Sequence, residues 1–178
     1  MAAQFAGWRR EGRLAGHDLV VPVWTMGVIG REQVLAVAGG TGIAGCHGGM
    51  CDAFRANVDG QFLTGAQWVA HSGNDGVRYG VRVVSDHAVV VGCPDFELET
   101  AQCHLHVDPA VKVHAVCDVP VAEGPHVVNG PVAMPVVFTE GWGKGRVLYN
   151  ALGHKAGVIG TGGAAEMTRR GPFRAMRR

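Results

Sequence analysis

Several features that would point to a membrane or secreted protein are absent from this sequence. No apolar run approaches the ~18 residues that a membrane-spanning helix needs, and the start of the chain lacks the apolar core of a signal peptide. The 5 cysteines include no Cys-x-x-Cys pair, which argues against a zinc ribbon and against a disulfide framework. These absences predict a cytoplasmic protein with free thiols and no membrane partner.

An excess of charge of either sign is also absent. The chain has 16 Lys and Arg residues against 15 Asp and Glu residues, a formal net charge of +1, so we expect no nucleic-acid partner. Apolar residues, by contrast, make up 47% of the 178 positions, which is enough to build the core of one domain. The 28 glycines predict many tight turns and close backbone approaches.

Hydrophobic patterning predicts strands that alternate with short helices. Residues 19–24 form a continuous apolar run, typical of a strand covered on both faces, and residues 41–45 look like a second buried strand of small residues. Further strands are expected at 79–83, 111–116, 134–139 and 146–152, and helices at 30–37, 50–57 and 164–170. Because the buried, parallel-type strands come first, we predict an α/β fold with a mixed, mainly parallel sheet and helices on both faces.

The sharpest local motif is the run from Gly42 to Gly49. A strand of small residues that enters a glycine-rich turn and then a helix is typical of a nucleophile elbow. Cys46 is expected at its tip with His47 beside it, and the following helix would lower the pKa of the thiol. A buried structural cysteine is an equally good interpretation. The spacing Gly40-x-Gly42-x-x-Gly45 resembles a dinucleotide fingerprint, but the glycines precede the strand, so no nucleotide cofactor is expected.

Histidine is abundant, with 9 residues, and several lie beside turns or strand ends. His104, His106 and Asp108 alternate along an extended segment, which puts them on one face. Ligands of open α/β sheets bind at the carboxyl ends of strands. Convergence at such an edge is therefore expected for Trp24, Cys46, His47 and His154.

Longer segments carry a family resemblance. Residues 22–27, 42–50, 64–71, 106–109, 130–137 and 142–154 occur in order and are similar to motifs of the trehalose-utilisation (ThuA-like) family. The resemblance covers residues 16–178, taken as one N-terminally incomplete domain after a non-matching segment, residues 1–15. It implies a flavodoxin-like fold, that of the class I glutamine amidotransferases, here expected to lack the opening strand–helix–strand unit.

The resemblance also implies a role in carbohydrate metabolism, with trehalose or a keto-disaccharide as ligand. In the amidotransferase relatives an elbow cysteine pairs with a histidine after a late strand, which corresponds here to Cys46 and His154. The Pro-Glu pair that usually follows this histidine is replaced by Lys155-Ala156, so no glutaminase activity is expected. Ala101 and Ala133 stand where acidic residues are usual, which favours a binding module over a fully active enzyme.

The leading hypothesis is an enzyme that transforms a small sugar. Its acid–base or nucleophilic groups would be Cys46, His47, His106, Asp108 and His154, and its sugar-binding groups Trp24, His126 and Trp142. A divalent metal, zinc or similar, would be held by His47, His106 and His154. The alternatives are a non-catalytic sugar-binding or regulatory module and a Cys-dependent hydrolase of the DJ-1/PfpI type. A strand left uncovered by the missing unit predicts a homo-oligomer.

Overall fold

The fold is built on one mixed sheet, seen in a computed structural model that describes residues 14–119 and 122–177. Its strands are β1 (Leu19–Val20), β2 (Gly42–Cys46), β3 (Ala66–Val83), β4 (Phe96–Val107), β5 (Lys112–Val119), β6 (Val132–Trp142) and β7 (Gly145–Asn150). The helices are α1 (Arg31–Ala38), α2 (Gly48–Cys51), α3 (Val58–Thr64), α4 (Ala156–Ile159) and α5 (Gly162–Ala175), with a 3-10 turn at Pro125–Asn129. The predicted segment 1–15, and any unit before it, lies almost wholly outside the described residues.

The strands lie in the order β1-β2-β7-β6-β5-β3-β4. Only β1–β2 and β2–β7 are parallel pairs, whereas β7–β6, β6–β5, β5–β3 and β3–β4 are antiparallel. The prediction of a mainly parallel sheet is therefore wrong, although the sheet is mixed and carries helices. A parallel return usually needs a crossover helix that packs back on the sheet. In the described residues between β3 and β7 no α-helix stands between consecutive strands, and β4–β5 and β6–β7 are joined by short turns, which agrees with the antiparallel pairing.

Both faces of β7 are covered, as the prediction of helices on both faces requires. Gly145 lies against the backbone of Val37 in α1, where an added Cβ would stand 2.3 Å from the carbonyl oxygen. On the opposite face Leu148 packs under Gly171 of α5, where a Cβ would come within 2.5 Å of the leucine side chain. Glycine at these two positions allows helix and sheet to approach closely.

Most of the predicted elements occur close to their expected positions. The hairpin near Gly143, the strand β2 and the helices α1 and α5 all appear. The run 19–24 forms a strand only at Leu19–Val20, since Pro22 lacks a backbone donor and Val23 is exposed. The helix expected over 50–57 is replaced by the four-residue α2 and turns. Within the described ranges, no helix combines the length and the apolar character that crossing a bilayer requires.

The β3–β4 ribbon is the largest feature that the sequence pattern did not predict in full. Its pairing is irregular between Trp68 and Ala70, where Val69 is the extra residue of a bulge, and again between Ser72 and Val77. In the second irregularity Gly73, Asn74 and Gly76 adopt positive φ angles. The first bulge puts Trp68 and His71 on the same face of the ribbon, because Trp68 pairs with Leu105 and His71 with Cys103.

Candidate functional site

The candidate site begins at the carboxyl end of β2, where the chain turns sharply into α2. Cys46 lies beside Asn150, the last residue of β7, and the backbone N–H of His47 donates to the carbonyl oxygen of Asn150 at 2.8 Å. His47 has φ 49° and ψ −145°, a conformation rarely adopted by residues other than glycine. Strained backbone of this kind gathers at functional sites. The residue at the elbow is thus His47, with Cys46 still inside the strand.

Three imidazoles meet at this elbow. The Nε2 atoms of His47 and His71 lie 3.0 Å apart, at hydrogen-bonding distance. The ring of His154 stacks on His47, with centroids 4.7 Å apart and an interplanar angle of 10°. His71 and His154 also approach, at 5.3 Å between centroids. We call His47, His71 and His154 the histidine cluster.

Burial disfavours the charged forms of His47 and His71. His47 is only 9% exposed. Desolvation, followed by the neighbouring charges of His71 and His154, lowers its pKa to about 3. Desolvation is also the largest cause of the lowered pKa of His71, with the charge of His154 next. A neutral imidazole offers one donor and one acceptor nitrogen, so the His47–His71 contact requires opposite tautomers at the two Nε2 atoms.

The buried thiol of Cys103 completes a set of potential metal ligands. One ligand atom each from His47, His71 and Cys103 lies within 4.8 Å of the others. Zinc binds nitrogen at about 2.0–2.1 Å and thiolate sulfur at about 2.3 Å in tetrahedral geometry, which puts two ligand atoms roughly 3.3–3.6 Å apart. A contraction of the set by about 1 Å would therefore bring all three atoms onto one ion. The nitrogen and sulfur donors are types that zinc prefers.

Cys46 is placed for structure more than for nucleophilic attack. Burial raises the pKa of its thiol, which disfavours the reactive thiolate. Gly153 lies so close that an added Cβ would stand 2.8 Å from its Sγ. His154, the partner expected from the amidotransferase pattern, instead faces Asp75, whose Oδ1 is 3.4 Å from its Nδ1. Lys155 contacts the other oxygen of Asp75.

The other predicted site residues are spread over the molecule. Trp24 follows β1 and lies beside α2, where its backbone N–H donates to the carbonyl oxygen of Gly49 at 3.2 Å. The Nε2 of His126 lies 3.1 Å from the hydroxyl of Ser72, which faces away from His71 because side chains alternate along β3. His126 is thereby near His104, at 6.1 Å between ring centroids.

His106 and Asp108 line a different, open cavity of about 380 Å³ beside α3. His106 pairs with Gln67 and alternates with Cys103, which places it on the opposite face of β4. Trp142 packs edge-on against Phe62 of α3, at 5.3 Å, near the β6–β7 turn and thus at the opposite end of β7 from Asn150. The structure brings His47, His154 and Cys46 together, and it does not bring His106, Asp108, His126 or Trp142 to them.

The residues that the sequence pattern missed come from the β3–β4 ribbon. They are Trp68, His71, Asp75 and Cys103. Trp68 lies edge-on to His71 at 5.0 Å, and the guanidinium of Arg55 lies 5.2 Å from its ring centroid. Trp68 and His71 belong to the segment 64–71 that resembles a family motif, which was the one available signal. Asp75 and Cys103 had none, because their roles depend on long-range pairing.

Comparisons with known proteins agree with this fold. A family model described as trehalose utilisation (ThuA) matches residues 6–172. A ThuA-like protein from Parabacteroides merdae is 17% identical, with a TM-score of 0.66 over 89% of this chain and 70% of that one. One from Bacteroides uniformis is 16% identical, with a TM-score of 0.64 over 91% and 70%.

A cytoplasmic protein from Salmonella typhimurium is 11% identical, with a TM-score of 0.57 over 90% of this chain and 72% of that one. A comparison with curated proteins gives no match. At these identities the structural neighbours define the fold alone. The family model covers most of the chain, so the chain belongs to the trehalose-utilisation (ThuA) family.

Proposed function

We propose that this chain binds a trehalose-type or keto-disaccharide sugar at the histidine cluster and transforms it by metal-assisted acid–base chemistry. The observation that carries the proposal is the convergence of His47, His71 and His154 at the carboxyl ends of β2 and β7. In open α/β sheets this edge is where ligands bind. Membership of the trehalose-utilisation family supports a sugar as the ligand.

The three imidazoles are suited to different tasks. A group with a pKa near 3 is a weak base at neutral pH, so His47 is better suited to hold a metal or a hydroxyl than to remove a proton. His154 is less enclosed, with 29% of its side chain exposed, and Asp75 faces its Nδ1. The Nδ1 atom makes no hydrogen bond in the described structure, so Asp75 approaches it at 3.4 Å without yet bonding to it. Closure of this contact would orient the imidazole and leave Nε2 to move a proton. We assign the acid–base role to His154.

The metal proposed here is zinc or a similar divalent ion, and its ligands would be His47, His71 and Cys103. His106, which the sequence predicted as a metal ligand, is left out of this set because it lies on the other face of β4. A bound divalent ion supplies Lewis acidity that polarises a carbonyl oxygen of the substrate. The protein's part is to present two neutral nitrogens and the buried thiol of Cys103. Burial raises the pKa of this thiol, and its proton would be released to solvent as the ion binds.

The ligand assignment predicts which substitutions remove metal. His71→Ala and Cys103→Ser are each expected to lower the zinc content of the purified protein to less than about a tenth, because removal of one of three protein ligands leaves too few for a tight site. The measurement is inductively coupled plasma mass spectrometry after dialysis against zinc. His106→Ala is the matched control and should retain the wild-type stoichiometry. Loss of zinc in His106→Ala together with retention in His71→Ala would contradict the assignment.

An aromatic surface for the sugar is available beside the cluster. Trp68 is half-buried and lies against His71. Its indole N–H makes no hydrogen bond within the described ranges. Sugars present C–H faces to aromatic rings and hydroxyls to polar groups. Trp68 therefore replaces Trp142 in our proposal, and Trp24 remains a neighbour of the elbow.

Sugar binding should appear as thermal stabilisation. A keto-disaccharide at about 100 times its Kd is expected to stabilise the native state by about 2.7 kcal/mol, which raises Tm by roughly 5–10 °C for a chain of this size. Differential scanning fluorimetry with a panel of disaccharides and their 3-keto derivatives measures the shift. Trp68→Ala should abolish it and Trp142→Ala should preserve it. If no sugar in the panel moves Tm, the proposed substrate class fails.

A non-catalytic sugar-binding module is the second candidate. It is favoured by the absence of an acidic group at Ala101 and Ala133, two positions where acidic residues are usual. Ala101 is fully buried in β4, and Ala133 is exposed on β6. The two candidates separate in one experiment, because the module would give the thermal shift without turnover. The raised pKa of Cys46 offers no support for a Cys-dependent hydrolase, and absence of glutaminase activity stays a prediction.

The setting of the protein is part of the proposal. We propose a cytoplasmic protein whose partner is a small sugar, without a nucleic-acid or membrane partner and without a nucleotide cofactor. A homo-oligomer stays the expected assembly. β1 and β4 are the outermost strands in the described sheet, and exposed strand edges favour association.

A further inference from the structure

A second polar cavity lies far from the histidine cluster. Its volume is about 180 Å³, and it sits between β6–β7 and the C-terminal end of α5. Thr139, Arg146 and Leu148 line it from the sheet, Arg174 from α5, and His87 from the loop after β3. Arg146 pairs with Gly141 near the β6–β7 turn, whereas the histidine cluster adjoins Asn150 at the other end of β7. The cavity therefore has no part in the sugar site.

The lining of this cavity is basic and contains no carboxylate. Neither Arg146 nor Arg174 forms an ion pair or a side-chain hydrogen bond with any of the described residues. Carboxylate partners are found, by contrast, for Arg55, Arg78, Arg82, Arg169 and Arg170. Two unpaired guanidiniums beside one cavity repel each other, and an anion between them would remove that repulsion.

The wall around His87 is fixed by neighbouring side chains. His87 stacks on the buried His114, with ring centroids 4.1 Å apart and an interplanar angle of 10°. His114 is itself held from both sides, by the hydroxyl of Ser85 at 2.9 Å and by that of Thr139 at 2.9 Å. His87 and Arg174 line the same cavity, and the pKa of His87 is lowered by desolvation first and then by the charge of Arg174, with Asp86 acting in the opposite direction. The His87 side of the cavity is thus held in place before a ligand arrives.

We infer that this cavity is a binding site for a phosphate group, either inorganic phosphate or the terminal phosphate of a small phosphomonoester. Planar guanidinium groups bind phosphate oxygens through paired, charge-assisted hydrogen bonds. A volume of about 180 Å³ equals that of roughly six water molecules, which is enough for one phosphate group and too little for a whole disaccharide. His87 and the two arginines supply donors from three directions.

Isothermal titration calorimetry at constant ionic strength tests the site on the full chain. The probes are inorganic phosphate and glucose 6-phosphate, which separate a free ion from a phosphomonoester. At least one is expected to bind with a stoichiometry of about one per chain. Arg146→Gln and Arg174→Gln should each weaken the Kd at least tenfold, about 1.4 kcal/mol. Arg78→Gln removes the same charge from β3, where Arg78 pairs with Glu97, and should change the Kd less than twofold.

Several results would overturn the inference. One is the absence of saturable binding for both probes. Another is equal weakening by Arg78→Gln and the two cavity variants, which would show only a general charge effect. Arg174 is exposed on the helix surface, so Arg174→Gln is expected to fold normally and carries the test even if Arg146→Gln is unstable. Retention of wild-type affinity in folded Arg174→Gln would also reject the site.

Discussion

Lowering the pH from 7 to 5 is expected to decrease the free energy of unfolding by about 2 kcal/mol, and by about 4 kcal/mol in a Glu140→Gln variant. The two most strongly shifted histidines cause most of the decrease, and the lowered pKa values of His71, His87 and His104 act in the same direction. The pKa of His47 is lowered to about 3 and that of His114 to about 4, both mainly by desolvation. In the unfolded chain a histidine titrates near a pKa of ~6.5.

The sign follows from proton uptake. A histidine whose pKa is lowered by folding takes up a proton on unfolding at any pH between its folded and unfolded pKa values. The stabilisation that each neutral histidine contributes is therefore fully present above pH ~6.5. It is lost progressively as the pH falls below that value. At about 1.36 kcal/mol per pH unit, each of the two histidines contributes a loss of about 2 kcal/mol by pH 5.

Glu140 acts in the opposite direction. Desolvation, followed by the charge of Asp108, raises its pKa to about 7. Between pH ~4.5 and about 7 the folded state therefore binds more protons than the unfolded state. As the pH falls from 7 to 5, Glu140 thus adds about 2 kcal/mol to the free energy of unfolding. Glutamine at this position removes that opposing contribution while it keeps the size of the side chain.

Urea unfolding at pH 7, 6 and 5, in the presence of a chelator, measures these changes. His47→Asn and His114→Asn should each reduce the acid-induced loss by about 2 kcal/mol relative to the parent protein. His17→Asn is the control, because His17 is exposed and belongs neither to the histidine cluster nor to the His87–His114 pair. If wild type and Glu140→Gln lose the same stability between pH 7 and pH 5, the assignment of opposing groups is wrong.

Replacement of His154 by alanine is expected to lower turnover of the keto-sugar substrate by 10²–10⁴-fold, the usual effect of losing a general acid or base. The metal content and the thermal shift with sugar should stay near their wild-type values, because the proposed ligands are His47, His71 and Cys103. His71→Ala should lose both metal and turnover. This contrast separates proton transfer from metal binding.

Asp75→Asn tests the positioning role of the carboxylate that faces His154. Turnover is expected to fall less than in His154→Ala, because the proton-transferring imidazole remains while the carboxylate that orients it is lost. His126→Ala serves as the control for a half-buried histidine on the other face of the ribbon. Turnover in His154→Ala at the wild-type rate would assign the chemistry to another group.

Local sequence was sufficient for the elements that depend on neighbouring residues. The small residues of β2, the glycine-rich elbow and the β6–β7 hairpin each follow from short-range chemistry, and all appear in the structure. The placement of His47 and His154 near the strand ends was also predictable, because both directly follow strands that the apolar pattern identified. The family resemblance extends over most of the chain, and the family model, which matches residues 6–172, agrees with it.

Only the tertiary structure decided which side chains meet. His71 reaches His47 because the bulge at Val69 and the pairing of β3 with β4 set which residues face the elbow. The same alternation turns His106 away from the site and brings Cys103 into it. A shift of one residue in strand register exchanges the two faces of a strand, and no local pattern in a polar, glycine-containing ribbon specifies that register. The direction of the strands also became clear only in the tertiary structure, where no α-helix among the described residues connects consecutive strands between β3 and β7.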